Sequence, residues 1–116
     1  LKRENINFLN SSPKSVEKEC LNYERKIKSQ KGIDLQILGI GRNGHIGFNE
    51  PDSSLKSKTR EVKLSESTKK ANSSSYQLRS FPTHALTIGI GTILKSRKIL
   101  LIATGKDKAG SREDKY

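Results

Sequence analysis

The chain of 116 residues has no tryptophan and no methionine, one cysteine, three prolines, three phenylalanines and three tyrosines. With Cys20 alone, an internal disulfide is excluded, and a reducing compartment suits the composition. So few aromatic side chains leave no aromatic–basic platform on which single-stranded nucleic acid could stack. No apolar run is long enough to cross a bilayer and no signal-peptide pattern is present, so the sequence reads as cytoplasmic, with no membrane partner. Hydrophobic residues (31%) barely exceed charged ones (30%), a thin core for this length. Part of the chain is therefore expected to rest on a partner surface or on further sequence.

What is abundant is positive charge. Lysine and arginine number 23 against 12 acidic residues, a net charge of +11. That balance favours anionic partners such as phosphates. The lysines are scattered and no nucleic-acid motif accompanies them, so nucleic acid is not the expected partner. The apolar residues, by contrast, are clumped at 33–40, 84–93 and 98–103, as in a parallel sheet buried on both faces.

Between these clumps the chain alternates strand and helix signals. "SSPKSVEKECLNYERKIKSQKG" predicts a helix capped by Ser12, with Pro13 in its first turn and Gly32 as its left-handed stop. Val16, Cys20, Tyr23 and Ile27 recur at helical spacing and define its inward face, with Cys20 as a small core residue. Residues 33–40 predict a central parallel strand, 59–64 a short alternating strand, and 65–77 a weak helix fading into a serine loop. A strand from residue 84, a short helix or turn near 90–96 and a strand at 98–103 follow. The order points to a layered α/β fold. With three parallel-type strands and few covering helices, it reads as one partial domain over residues 1–116.

The stretch "GIGRNGHIGFNEP" (39–51) contains a literal G-x-G-x-x-G, from Gly39 to Gly44. A pyrophosphate-binding loop needs a helix running on from the third glycine. Here Gly47 would cost a helix interior about 1 kcal/mol, and Pro51 biases Glu50 away from the helical region. The other reading is a site loop at the carboxyl edge of a parallel strand, where α/β proteins place their ligands. Gly41 and Gly44 would let the backbone turn and approach a ligand closely. Among the polar residues, His45 is suited to move protons near neutrality, Glu50 to orient an imidazole, and Asn43 to offer an uncharged donor and acceptor. A surface loop with a solvent-facing histidine would have the same composition.

"LGIGRNGHIGFNEPDSSLKSKTR" strongly resembles the signature segment of glucosamine-6-phosphate deaminases, and "ENINFLN", "ALTIGIGTIL" and "KILLIATGKDKA" extend the likeness over nearly the whole chain. It covers only the middle and later part of such an enzyme. The resemblance implies a three-layer α/β/α, Rossmann-like parallel sheet, here incomplete. It also implies conversion of glucosamine 6-phosphate and water to fructose 6-phosphate and ammonia, without an organic cofactor or a metal. Many members are homo-oligomers, and some are activated by N-acetylglucosamine 6-phosphate. By position, His45 matches the histidine that opens the sugar ring, Glu50 and Asn43 match the residues that hold it, and Lys108 matches a lysine on the substrate phosphate. Ser53, Ser54 and Arg60 match allosteric phosphate positions, although Val62 stands where activated members carry lysine. Two departures stand out. The family's aspartate base and its glycine/threonine phosphate loop precede Leu1, and Ser74 replaces a phosphate-binding arginine, with Arg79 nearby in sequence. The alternative implied is a non-catalytic sugar-phosphate-binding or interface module.

Overall fold

The computed structural model describes residues 1–66, 69 and 82–105. After a 3-10 turn at Arg3–Asn5, helix α1 spans Val16–Ser29. Its cap is Ser15 rather than Ser12: the Ser15 hydroxyl oxygen accepts from the Lys18 amide at 3.3 Å. Pro13 accordingly lies ahead of the helix. Val16, Tyr23 and Ile27 are half-buried and Cys20 is buried, as the spacing predicts.

The C-terminal stop is shared between two residues. The Gly32 amide donates to the Ile27 carbonyl at 2.9 Å and the Lys31 amide to Lys28 at 3.0 Å, satisfying carbonyls that the helix leaves open. Both residues take positive φ, 63° for Lys31 and 96° for Gly32. For a side chain such as lysine this conformation costs about 1–2 kcal/mol. The Arg97 guanidinium helps to hold it, donating to the Lys31 carbonyl at 2.8 Å while its other arm meets Asp34 Oδ1 at 2.6 Å.

Strands β1 (Leu35–Gly39) and β4 (Lys98–Ile102) pair in parallel, Leu35 opposite Lys98 and Gly39 opposite Ile102. Strands β2 (Arg60–Lys63) and β3 (His84–Thr87) pair antiparallel, Arg60 opposite Thr87 and Lys63 opposite His84. This corrects the expectation that the strand from residue 84 is parallel, whereas the short helix expected near 90–96 is present. The 84–93 run divides at Ile88 and Gly89, and its second half becomes α2, Ile90–Leu94. Glycine makes the break possible. A Cβ on Gly89 would overlap the Ser57 backbone, and one on Gly91 would lie 2.7 Å from the Lys56 carbonyl carbon. Ser57 closes this approach, its hydroxyl oxygen accepting from the Ile90 amide at 2.9 Å. The expected helix beyond residue 65 falls mostly outside the described residues.

Ile40, Ile46, Ile90 and Ile93 form the buried core, with Leu38, Ile88 and Ala103 packed against it. Each such isoleucine contributes about 1.5–3 kcal/mol over an exposed one. This core sits where β1 ends, so it supports the loop that follows. The remainder of the β1/β4 pair differs from its sequence reading. Leu35, Ile37, Ile99, Leu100, Leu101 and Ile102 are all exposed, because among the described residues no helix layer covers both of its faces.

A carboxylate adds a directed tie between α1 and the rest. Glu24 Oε1 accepts from the Thr59 amide (2.8 Å), the Thr59 hydroxyl (2.7 Å) and the Thr92 hydroxyl (2.7 Å). One oxygen thus joins α1, the start of β2 and α2. Burial pushes this carboxyl up, but the Thr92 and Thr59 bonds and the Lys58 charge together hold it below the ordinary glutamate range. Because the folded-state value is lowered, the stability it confers is present above the unfolded value of about 4.3 and is lost as pH falls through the folded value. Glu24→Ala is expected to cost about 1–3 kcal/mol at neutral pH, since it strands buried donors. Thermal melts from pH 7 down to 3 should show a smaller acid-induced loss in Glu24→Gln than in the wild type. Parallel curves for the two would remove Glu24 from this role.

Candidate functional site

Residues 40–59 leave the carboxyl end of β1 as turns, with no helix starting after Gly44. A dinucleotide-type loop is therefore absent, as Gly47 and Pro51 predict. The segment folds on itself instead. The Gly41 amide donates to the His45 carbonyl at 2.8 Å and the Gly44 amide to Gly41 at 3.0 Å. Gly44 has φ 90°, so the turn needs a residue without a side chain. Gly41 is needed for space, because a Cβ there would overlap the His45 imidazole. The two glycines turn the chain and let the ring lie across the backbone.

His45, Asn43 and Glu50 come together, all half-buried. Asn43 Nδ2 donates to Glu50 Oε2 at 2.7 Å, and Asn43 Oδ1 lies 2.6 Å from His45 Nδ1 and 3.2 Å from the His45 amide. An ionised carboxylate only accepts, so Glu50 fixes which end of the amide faces it. The Asn43 oxygen then has no proton to give, so Nδ1 must carry the hydrogen and Nε2 the lone pair of the neutral ring. Two side chains, Asn43 directly and Glu50 through it, thus orient the imidazole and select its tautomer. The sequence expects Glu50 to brace the histidine, and the geometry puts the Asn43 amide between them as a link.

A second amide holds this loop in place. Asn49 has no exposed surface. Its Nδ2 donates to the Ile46 carbonyl at 3.0 Å and the Ile88 carbonyl at 2.8 Å, and its Oδ1 accepts from Arg60 at 2.8 Å. Its backbone exchanges two further bonds with Ile46, both 2.9 Å. Beside it the Phe48 amide donates to Thr87 Oγ1 at 3.1 Å. The loop is thereby pinned to the β3–α2 junction and to β2. Sequence reasoning missed Asn49, Thr87 and Glu24. An amide set among Ile, Gly and Phe in a buried loop was the available signal for Asn49; for Glu24 it was a place on the inward face, four residues after Cys20.

Among the other positions, Arg60 also donates to the Lys58 carbonyl at 3.4 Å. The Ser53 amide donates to the Glu50 carbonyl at 2.9 Å, and Ser54 Oγ accepts from the Lys56 amide at 3.2 Å. Ser53 and Ser54 lie on the turns between the loop and β2, and Arg60 is the first residue of β2. Lys108, Ser74 and Arg79 lie outside the described residues. Cys20 is buried and its thiol is pushed up, first by burial and then by Glu19, Glu61 and Glu24. That suits a core residue rather than a nucleophile.

A histidine oriented by amide and carboxylate stands on a loop at the carboxyl end of a parallel strand, the edge at which α/β proteins place their ligand sites. The chain belongs to the glucosamine-6-phosphate isomerase/6-phosphogluconolactonase family, whose model matches residues 1–114. It is 53% identical over 110 residues to a glucosamine-6-phosphate deaminase of Clostridium acetobutylicum, covering 94% of this chain and 46% of that protein. A protein of the same name from Alkaliphilus oremlandii is 56% identical over 107 residues, with 91% and 44% covered. Among solved structures, a monomeric glucosamine-6-phosphate deaminase, described as a missing link of the NagB superfamily, matches with a TM-score of 0.90. It is 47% identical, with 95% of this chain and 46% of that one covered. The chain therefore has the family's α/β fold with a parallel sheet, and spans under half the length of these relatives.

Imidazole nitrogen NMR is expected to report the Nδ1–H tautomer for neutral His45 in the wild type and a mixture in Asn43→Ala. A dominant Nε2–H form in the wild type would contradict the linkage through Asn43. Asn49→Ala is expected to lose about 1–3 kcal/mol in urea unfolding, because two bonds to the Ile46 and Ile88 carbonyls are lost and the Arg60 guanidinium loses its acceptor.

Proposed function

We propose that the chain is part of a glucosamine-6-phosphate deaminase and carries the ring-opening histidine of that reaction. The supporting observation is the Glu50–Asn43–His45 hydrogen-bond chain at the end of β1, in a sequence about half identical to proteins of that name. Overall, glucosamine 6-phosphate and water become fructose 6-phosphate and ammonia. In the first step, Nε2 of neutral His45 takes the proton of the anomeric hydroxyl. The bond from the anomeric carbon to the ring oxygen breaks, that carbon becomes a carbonyl, and the imidazolium returns the proton to the ring oxygen. Asn43 Oδ1 keeps hold of Nδ1–H throughout, and Glu50 keeps Asn43 oriented.

Gly41 and Gly44 would admit the substrate close to the backbone, and Lys108 would meet its phosphate. No organic cofactor or metal enters this chemistry. The later steps move a proton between neighbouring carbons and let water release the nitrogen as ammonia. By the resemblance, the aspartate for that transfer precedes Leu1, so residues 1–116 form one partial domain of the working enzyme. Its place in amino-sugar breakdown suits the cytoplasm. An activating N-acetylglucosamine 6-phosphate would use Ser53, Ser54 and Arg60. The engagement of Arg60 by Asn49, and Val62 in place of a lysine, weigh against strong activation. Homo-oligomers fit the reading without being required by it, since one relative is monomeric. The short span against the relatives favours one second reading, a sugar-phosphate-binding or interface module without turnover.

Calorimetry with glucosamine 6-phosphate tests the site that the deaminase and sugar-phosphate-binding readings share. The wild-type chain is expected to bind it, with Lys108→Ala weakening affinity by roughly 10-fold or more, as loss of a charge-assisted phosphate contact implies. His45→Ala should weaken it less. Alone, the chain should release little or no ammonia. Affinity unchanged by both substitutions would place the ligand elsewhere and defeat the proposal.

A further inference from the structure

The buried side-chain amide of Asn49 has two ends of nearly the same shape. Only one direction turns its N–H pair to the Ile46 and Ile88 carbonyls, at 3.0 and 2.8 Å. Reversed, its oxygen would meet two carbonyl oxygens and both bonds would be lost. Arg60 selects the direction. A guanidinium donates at every hydrogen and accepts nowhere, so the end of the amide that faces it must be the oxygen. Nη1 of Arg60 meets Asn49 Oδ1 at 2.8 Å and, more weakly, the Lys58 carbonyl at 3.4 Å.

The hold extends to the histidine. Arg60 opens β2 opposite Thr87 of β3, and Thr87 Oγ1 takes the Phe48 amide at 3.1 Å. One cross-strand pair thus grips two successive residues of the loop, 48 and 49. The Ile46 carbonyl accepts from both the backbone and the side chain of Asn49, and Ile46 directly follows His45. Ahead of it, the His45 carbonyl takes the Gly41 amide at 2.8 Å. An ion of each sign therefore orients an amide near the imidazole. Glu50, which only accepts, sets Asn43, and Arg60, which only donates, sets Asn49. We propose that Arg60 is a positioning residue for His45, acting through Asn49 by fixing the direction of its amide. Its bearing on ring opening rests on the deaminase reading, but the positioning itself is read without turnover.

The test compares chain 1–116 with its Arg60→Lys, Arg60→Gln and Arg60→Met variants by imidazole and side-chain amide NMR. The wild type should show one neutral His45 tautomer, Nδ1–H, and Asn49 Nδ2 protons that exchange slowly with water. In Arg60→Met those protons should exchange at least ~10-fold faster, as loss of a bond to a charged donor implies, and an Nε2–H population of His45 should appear. Arg60→Lys, which also only donates, should keep both wild-type signals. Arg60→Gln can turn either end toward Asn49, so it should behave like Arg60→Met, and it carries the comparison if the methionine variant does not fold. Wild-type signals in folded Arg60→Met or Arg60→Gln would overturn the proposal, as would a loss in Arg60→Lys equal to that in the other variants. Binding of glucosamine 6-phosphate is a separate readout: the expected ring signals with no binding by the wild type would leave Arg60 in its role and remove the deaminase reading.

Discussion

The arrangement depends most on the side-chain amide of Asn49. It is fully buried, and it bridges the carbonyls of Ile46 and Ile88 while taking the Arg60 guanidinium. Each such bond contributes roughly 0.5–1.5 kcal/mol, and one side chain reaching both carbonyls holds the loop and the β3–α2 junction in one relation. That relation gives direction to a packing that apolar contacts alone would leave loose, and the bond from the Phe48 amide to Thr87 Oγ1 adds to it. His45 lies one residue from Ile46. Its position is thus set by hydrogen bonds on both sides, from Asn49 behind and from Asn43 beside it.

Much of this was legible in the sequence. The periodicity of Val16, Cys20, Tyr23 and Ile27 located the inward face of α1, and the apolar run at 33–40 located β1. Glycine and proline spacing excluded a dinucleotide helix after Gly44, and the pairing of His45 with Asn43 and Glu50 followed from their chemistry. The misses have physical causes. Ser12 and Ser15 are equally good caps by type, and only the entry path of the chain selects Ser15. The apolar 84–93 run suggests a parallel strand leading into a short helix near 90; the helix forms, but the strand pairs antiparallel with β2. The run breaks because Gly89 and Gly91 accept the 56–58 backbone, a contact between segments more than thirty residues apart that no local pattern encodes.

Glu24 illustrates the same limit from another side. A carboxylate on an otherwise apolar helix face reads as an interruption. In the fold it is the point where α1, β2 and α2 meet, because threonine hydroxyls from two distant segments converge on it. The thin hydrophobic content of the chain is thus supplemented by polar ties at Glu24 and Asn49, each satisfied by several partners. Polar ties of this sort impose a unique geometry where a small core alone would permit several.

The direction of the bonds around His45 has one more consequence. Glu50 accepts, Asn43 donates and accepts in turn, and Nδ1–H donates whether the ring is neutral or cationic. A hydrogen ion arriving at Nε2 or leaving it therefore asks neither Asn43 nor Glu50 to rotate or to exchange roles. The same two bonds serve both charge states of the ring, so for these two groups no dipole has to turn over, as water dipoles would.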